Sequence, residues 1–127
     1  MSINLKIYVI NDNSDGFNIV TAPIDSLTPQ NVMAALIQHA YIPDGTTVNS
    51  FFTGVDGGEK ALLIDLSEEY GNAILYAGSS AEYAYLGSVV NTYLTAYDAV
   101  KIKITINGAP LETAHGGAIT GYMNFFN

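Results

Sequence analysis

The sequence predicts an α+β two-layer sandwich in which two main helices pack on one face of a mixed, largely antiparallel sheet. Three observations predict this class. Strand-like segments occur in pairs joined by short turns, two helical segments separate the pairs, and one strand alternates strictly between apolar and polar residues. We expect the order β-β-α-β-β-α-β-β, and the 127 residues fit one domain, 1–127.

The N-terminal part predicts a hairpin followed by a helix. Residues 3–22 contain two strand-like runs that flank the turn-rich segment Asn11–Gly16. Thr28 is a suitable N-cap because proline, which tolerates the first helical position, follows it. We therefore expect the first helix to span Pro29–Tyr41.

The middle of the chain predicts a second hairpin. Strand-like runs at Val48–Thr53 and Ala61–Leu66 flank a segment that contains two glycines. After them, Ser67–Asn72 is typical of a short helical turn, which we expect to end at Gly71.

The clearest helix and strand lie in the C-terminal half. Ser79 and Glu82 have the spacing of a capping box, and apolar residues then recur every three or four positions up to Tyr97. The strand Val100–Ile106 places isoleucines on one face and polar residues on the other. Asn107-Gly108 predicts a tight turn into a short final strand.

Composition excludes several classes of function. The chain has twelve acidic residues, four lysines and no arginine, and its net charge of -8 disfavours binding to nucleic acid or to anionic membranes. The absence of cysteine excludes disulfides, thiolate metal sites and a cysteine nucleophile. No apolar run approaches the roughly 20 residues that span a bilayer.

No group of residues predicts catalysis, a metal site or a cofactor. Asp65, Glu68 and Glu69 are a carboxylate cluster that acid-base chemistry or calcium could use. We favour a structural role, in which Asp65 closes a strand and the two glutamates begin a helical turn. The expectation is a non-enzymatic domain.

Several short motifs follow one another along the chain, namely Pro43–Thr46, Leu63–Ser67, Val90–Thr95, Val100–Ile106, Asn107-Gly108 and Leu111–Thr113. Their order resembles the GerMN domain, the sporulation and spore-germination domain of bacterial envelope lipoproteins. The resemblance covers a family-like core at about residues 29–117, with the hairpin 3–22 before it and the tail 118–127 after it.

The resemblance implies a role in the cell envelope. The family's helix-strand-strand-helix-strand core is similar to the ring-building motif of oligomeric secretion machinery. It implies a non-enzymatic binding or scaffolding module with protein partners, with self-association as a further expectation. It also implies an extracytoplasmic location and a membrane anchor in a longer precursor, outside these residues.

Aromatic residues supply the candidate contacts. The apolar tail Gly121–Phe126 is expected to dock on the domain, with a partner contact as the alternative. The alternative function is a cell-wall glycan-binding domain that recognises peptidoglycan through exposed tyrosines, namely Tyr76, Tyr83, Tyr85 and Tyr122. The residues predicted to contact a partner are Tyr83, Tyr122, Phe125 and Phe126.

Overall fold

A computed structural model describes residues 2–127 of the chain. In this part of the chain, three helices and eight strands follow one another in the order β-β-α-β-β-α-α-β-β-β-β. The helices are α1 Pro29–His39, α2 Glu68–Leu75 and α3 Ser79–Ala96. The strands are β1 Ile3–Ile10, β2 Phe17–Ile24, β3 Val48–Asp56, β4 Glu59–Leu66, β5 Lys101–Ile106, β6 Ala109–Thr113, β7 Gly117–Ile119 and β8 Met123–Asn124.

The main sheet is mixed and largely antiparallel, as predicted. Its strand order is β3-β4-β5-β6-β7, and β8 pairs with the first residues of β5. The parallel pair in the path is β4–β5, which is joined through α2 and α3, and all other pairs are antiparallel. This pairing leaves β3 at one edge of the sheet.

One face of the main sheet forms the core with the helices. Leu62 and Ile64 of β4 lie beside Ile102 and Ile104 of β5, and all four side chains are buried. The alternate residues of the same strands, including Lys101, Lys103 and Asp65, point to the outer face. The alternating pattern in the sequence therefore predicted the buried face of β5 correctly.

The N-terminal hairpin forms a separate two-stranded sheet instead of extending the main one. It packs on α1 and α3, so α3 lies between the hairpin and the main sheet. For this reason every residue of 86–94 in α3 is buried, including polar ones. Thr92 illustrates the contact, because its Oγ1 accepts a hydrogen bond of 3.0 Å from the backbone N–H of Tyr8. The α+β class is confirmed, with the hairpin as an additional layer.

The start of α1 is as predicted, and its end is two residues earlier. Thr28 Oγ1 accepts a hydrogen bond of 3.1 Å from the N–H of Asn31, with Pro29 in the first turn. The helix ends at His39 because Ala40 leaves the helical conformation and Tyr41 follows with a φ of 61°.

The segment after β4 is longer than a helical turn. The predicted end at Gly71 is wrong, because α2 continues through this residue to Leu75. A Cβ at Gly71 would lie 2.9 Å from Cγ2 of Ile106. The glycine thus permits close packing of α2 on β5 and does not terminate the helix.

The predicted capping box at the start of α3 is also wrong. The N-cap is Gly78, which makes no side-chain cap, and Ser79 is already helical. Glu82 donates its backbone N–H to the carbonyl of Gly78 at 2.9 Å, as an ordinary first-turn hydrogen bond.

Candidate interaction surfaces

The end of the C-terminal tail docks on α3. Asn91, a fully buried residue of α3, accepts a hydrogen bond of 2.7 Å from the N–H of Phe126 and donates one of 2.8 Å to its carbonyl oxygen. Tyr83 donates its hydroxyl to the carbonyl of Asn127 at 2.7 Å. The side-chain amide of Asn91 therefore satisfies both the N–H and the C=O group of Phe126.

Aromatic rings complete this docking. The ring of Tyr83 lies 5.9 Å from that of Phe126 and 5.1 Å from that of Phe17 in β2. Phe125 meets Tyr8 of β1 edge-on at 5.4 Å and remains 43% exposed. Three of the predicted contact residues, Tyr83, Phe125 and Phe126, therefore lie in this docked region. Of the three, Phe125 exposes the most surface to a partner.

Tyr122 lies elsewhere. Its ring contacts the side chains of Lys101 and Lys103, whose Nζ atoms are 5.0 and 4.8 Å from the ring centroid. These lysines belong to the outer face of the main sheet, opposite to α3. The structure therefore does not bring Tyr122 together with Tyr83, Phe125 and Phe126.

The tyrosines of the glycan alternative do not share one exposed platform. Tyr76 is 81% exposed at the end of α2, whereas Tyr83 and Tyr122 are partly buried by the neighbours described above. Tyr85 lines a groove of about 240 Å³ together with Tyr41, a 75% exposed residue that the sequence did not single out.

Asp65 has a structural role. Its carboxylate accepts hydrogen bonds from Thr105 Oγ1 at 2.5 Å, from the N–H of Gly108 at 2.8 Å and from Asn49 Nδ2 at 3.0 Å. Partial burial raises the pKa of Asp65, but the three hydrogen bonds together lower it by more, so its net pKa lies below the ordinary value. The carboxylate thus fixes the Asn107-Gly108 turn.

The described residues contain no assembled metal site. Within residues 2–127, no three side chains of histidine, aspartate or glutamate are grouped as metal ligands. Nor does this part of the chain contain a helix long and apolar enough to cross a membrane.

The edge strand β3 is a surface that the sequence interpretation missed. Within residues 2–127, no strand pairs with its outer side. Phe52 is 61% exposed on one face of the strand and Val55 is 77% exposed on the other. The signal in the sequence is that Val48–Asp56 contains neither lysine nor proline, the residues that commonly protect edge strands.

The carboxylate at the end of β3 is paired with a lysine. Lys101 Nζ lies 2.7 Å from Asp56 Oδ2 and 3.4 Å from Glu59 Oε1. The hydrogen bond to Asp56 is the main cause that raises the pKa of Lys101 above its ordinary value. Because Asp56 is the charged residue of β3, the edge itself carries little net charge.

The other strand edges each carry a protective feature. Lys6 lies in β1 and Pro23 in β2, while β7 and β8 have only three and two residues. Charged residues, proline and shortness all hinder the addition of another strand. The long, unprotected edge is therefore that of β3.

Comparison with known proteins identifies the family. Residues 6–112 match the sequence model of the family Germane, described as sporulation and spore germination. Among curated protein sequences, none matched the chain.

Solved structures show the same fold. The tandem GerMN domains of the sporulation protein GerM from Bacillus subtilis align over 98% of this chain, with a TM-score of 0.66 and 20% identity. This chain spans about half of that structure, 46%. The first GerMN domain alone aligns over 97% of this chain and 96% of its own, with a TM-score of 0.63 and 20% identity.

A third structure is similar over most of its length. It is a protein from Clostridium perfringens described as a lipoprotein, with 23% identity, a TM-score of 0.59 and coverage of 97% of this chain and 87% of that one. At these identities the structural matches show the fold alone. The family is shown by the sequence match, which covers residues 6–112. The chain belongs to the Germane family of sporulation and spore-germination domains.

Proposed function

We propose that this chain is a non-enzymatic module of the bacterial cell envelope that assembles with protein partners through the edge of β3. The single observation that carries the proposal is the free edge of this nine-residue strand, with Phe52 and Val55 exposed on its two faces. Unpaired backbone N–H and C=O groups are a template for a further strand, and exposed apolar side chains add affinity.

The proposed location follows from the relatives. One similar structure is described as a lipoprotein and another as a sporulation protein, which supports an extracytoplasmic domain whose precursor carries a membrane anchor. A scaffolding role agrees with the structural use of Asp65 and Asn91, because their polar groups are engaged in holding the fold.

Protein assembly has more support than glycan binding. Sugars stack on exposed flat rings, but Tyr83 is packed between aromatic neighbours and Tyr122 lies against two lysines. This leaves Tyr76, which is 81% exposed, and Tyr85 as the remaining candidate rings. The aromatic cluster at Phe125 remains a second predicted protein contact.

Site-specific photo-crosslinking in the cells that make this protein tests the proposal. A photoreactive phenylalanine analogue at Phe52 should give discrete adducts with an identified envelope protein or with another copy of the chain. The same analogue at Ile19, which is exposed to a similar extent on β2, is the matched control. Adducts at position 52 that disappear when Thr53 is replaced by proline support the proposal. The absence of adducts specific to position 52 would overturn it.

A further inference from the structure

The geometry of β3 points to a specific partner, a second copy of this chain, and we propose that two copies pair their β3 strands in antiparallel order about a two-fold axis at Thr53. This inference rests on the proposed function, because it names the partner of the same edge.

The turn after β3 determines which backbone groups are free. Asp56 pairs with Glu59 across the two-residue turn Gly57-Gly58, whose φ values are 60° and 81°. Such a turn closes with a hydrogen-bonded pair, and hydrogen-bonded and non-hydrogen-bonded pairs then alternate along the strands. The N–H and C=O groups of Phe51, Thr53 and Val55 are therefore directed away from β4, toward the free edge.

The irregularity of β3 selects the register. The pairing with β4 shifts between Val48 and Ser50, so the regular part of the strand is 50–56. The middle of this part is Thr53, which is also one of the outward-directed residues. Antiparallel pairing centred on Thr53 lets the entire regular segment overlap and forms about six backbone hydrogen bonds between the two copies.

The side chains are compatible in this register. Phe52 of one copy would face Gly54 of the other, and a Cβ added at Gly54 meets no atom within 4 Å, so there is room for an aromatic ring. Val55 would face Phe51 on the opposite face of the strand. Together these contacts would cover the exposed apolar surface of the edge.

Charge is also compatible with self-pairing. Asp56 of one copy would face Ser50 of the other, so no like charges oppose one another along the strands, and Asp56 is already paired with Lys101. The remaining electrostatic cost is the general repulsion between two chains of net charge -8. Added salt should reduce this repulsion, because the Debye length falls from about 30 Å at 0.01 M to about 8 Å at 0.15 M.

Cysteine crosslinking of the otherwise cysteine-free chain tests the register directly. In a hydrogen-bonded antiparallel pair the Cα atoms are about 5.5 Å apart, a distance that a disulfide can bridge. We expect Thr53→Cys to form a disulfide-linked dimer under mild oxidation about tenfold faster than Thr21→Cys, an exposed control on β2, because pairing raises the effective concentration of the thiols.

A mixed experiment makes the register test sharper. Phe51→Cys and Val55→Cys proteins should crosslink to each other faster than either crosslinks to itself. Equal rates for Thr53→Cys and Thr21→Cys, or preferential self-crosslinking of Phe51→Cys, would overturn the proposed pairing.

Sedimentation equilibrium provides an independent readout of association. The wild-type chain should self-associate more strongly at 0.15 M than at 0.01 M salt. Phe52→Lys should remain monomeric, since an edge lysine opposes pairing, whereas Ile19→Lys on β2 should behave as the wild type. Circular dichroism spectra should show that both variants are folded. A wild-type chain that is monomeric at both salt concentrations would overturn self-pairing.

The failure of self-pairing is distinguishable from the failure of the proposed function. If the chain is monomeric but the photoreactive analogue at Phe52 still crosslinks to a different envelope protein, the edge binds another partner and only self-pairing is refuted. If neither occurs, both proposals fail.

Discussion

Replacing Asn91 with alanine should detach the C-terminal tail. The substitution removes both hydrogen bonds between this side chain and the backbone of Phe126, which measure 2.7 and 2.8 Å. A buried hydrogen bond contributes about 1 kcal/mol, so we expect the free energy of unfolding to fall by about 2 kcal/mol. The Phe126 groups can then reach water as the tail moves away, which limits the loss.

This free-energy change corresponds to a measurable shift in melting temperature. The entropy of unfolding is about 2.1 cal/mol/K per residue, which gives about 0.27 kcal/mol/K for a chain of this length. A loss of 2 kcal/mol therefore lowers Tm by about 7 °C. Thermal unfolding followed by circular dichroism, together with urea unfolding at constant temperature, measures both quantities.

A double-mutant cycle tests the cause. Deleting residues 125–127 removes the partner of Asn91. In the truncated chain, Asn91→Ala should therefore lower the free energy of unfolding only slightly. Stability losses that simply add would refute the reasoning, as would a loss below about 0.5 kcal/mol for Asn91→Ala in the full chain.

Three further changes test other contacts. Burial raises the pKa of Tyr70 and of Tyr93. Above about pH 10 the folded state therefore retains protons that the unfolded state loses. Urea titrations at increasing pH should show the free energy of unfolding falling there by about 1.4 kcal/mol per pH unit for each of the two residues. Asp65→Asn should destabilise the chain near neutral pH but weaken acid denaturation, because the contribution of a carboxylate with a lowered pKa is lost as pH falls. The Cβ of Gly87→Ala would overlap the ring of Phe17, so this substitution should lower the free energy of unfolding by about 1–3 kcal/mol. In a chain that also carries Phe17→Ala the loss should be smaller. Losses from the two substitutions that simply add would exclude the clash as the cause.

The features that the sequence predicted correctly depend on interactions between residues close together in the chain. Thr28 before proline marks the start of α1, and strict alternation marks the buried face of β5. Asn107 and Gly108 have φ values of 48° and 83°, as their tight turn requires. Each of these signals depends on neighbours within a few residues.

The features that were missed depend on distant contacts. Gly71 is indistinguishable from a helix-ending glycine until Ile106 is known to pack against it. Asn91 lies among the apolar residues of a helix, and its partner is 35 positions later in the chain. The turn-linked pair β3–β4 is evident from the sequence, but which of the two strands lies beside β5 is not. The parallel pairing of β4 with β5 decides that β3 is the edge.

This assignment of the edge gives the proposed function its physical basis. The side chains of Asn91 and Thr92 in α3 and the carboxylate of Asp65 form hydrogen bonds with other groups of the domain itself, so they hold the fold together. The outward N–H and C=O groups of β3 are different, because only water or an added strand can satisfy them. Water satisfies them without covering Phe52 or Val55, whereas a paired strand does both. The proposed strand partner therefore matches both the hydrogen-bonding groups and the apolar surface of this edge.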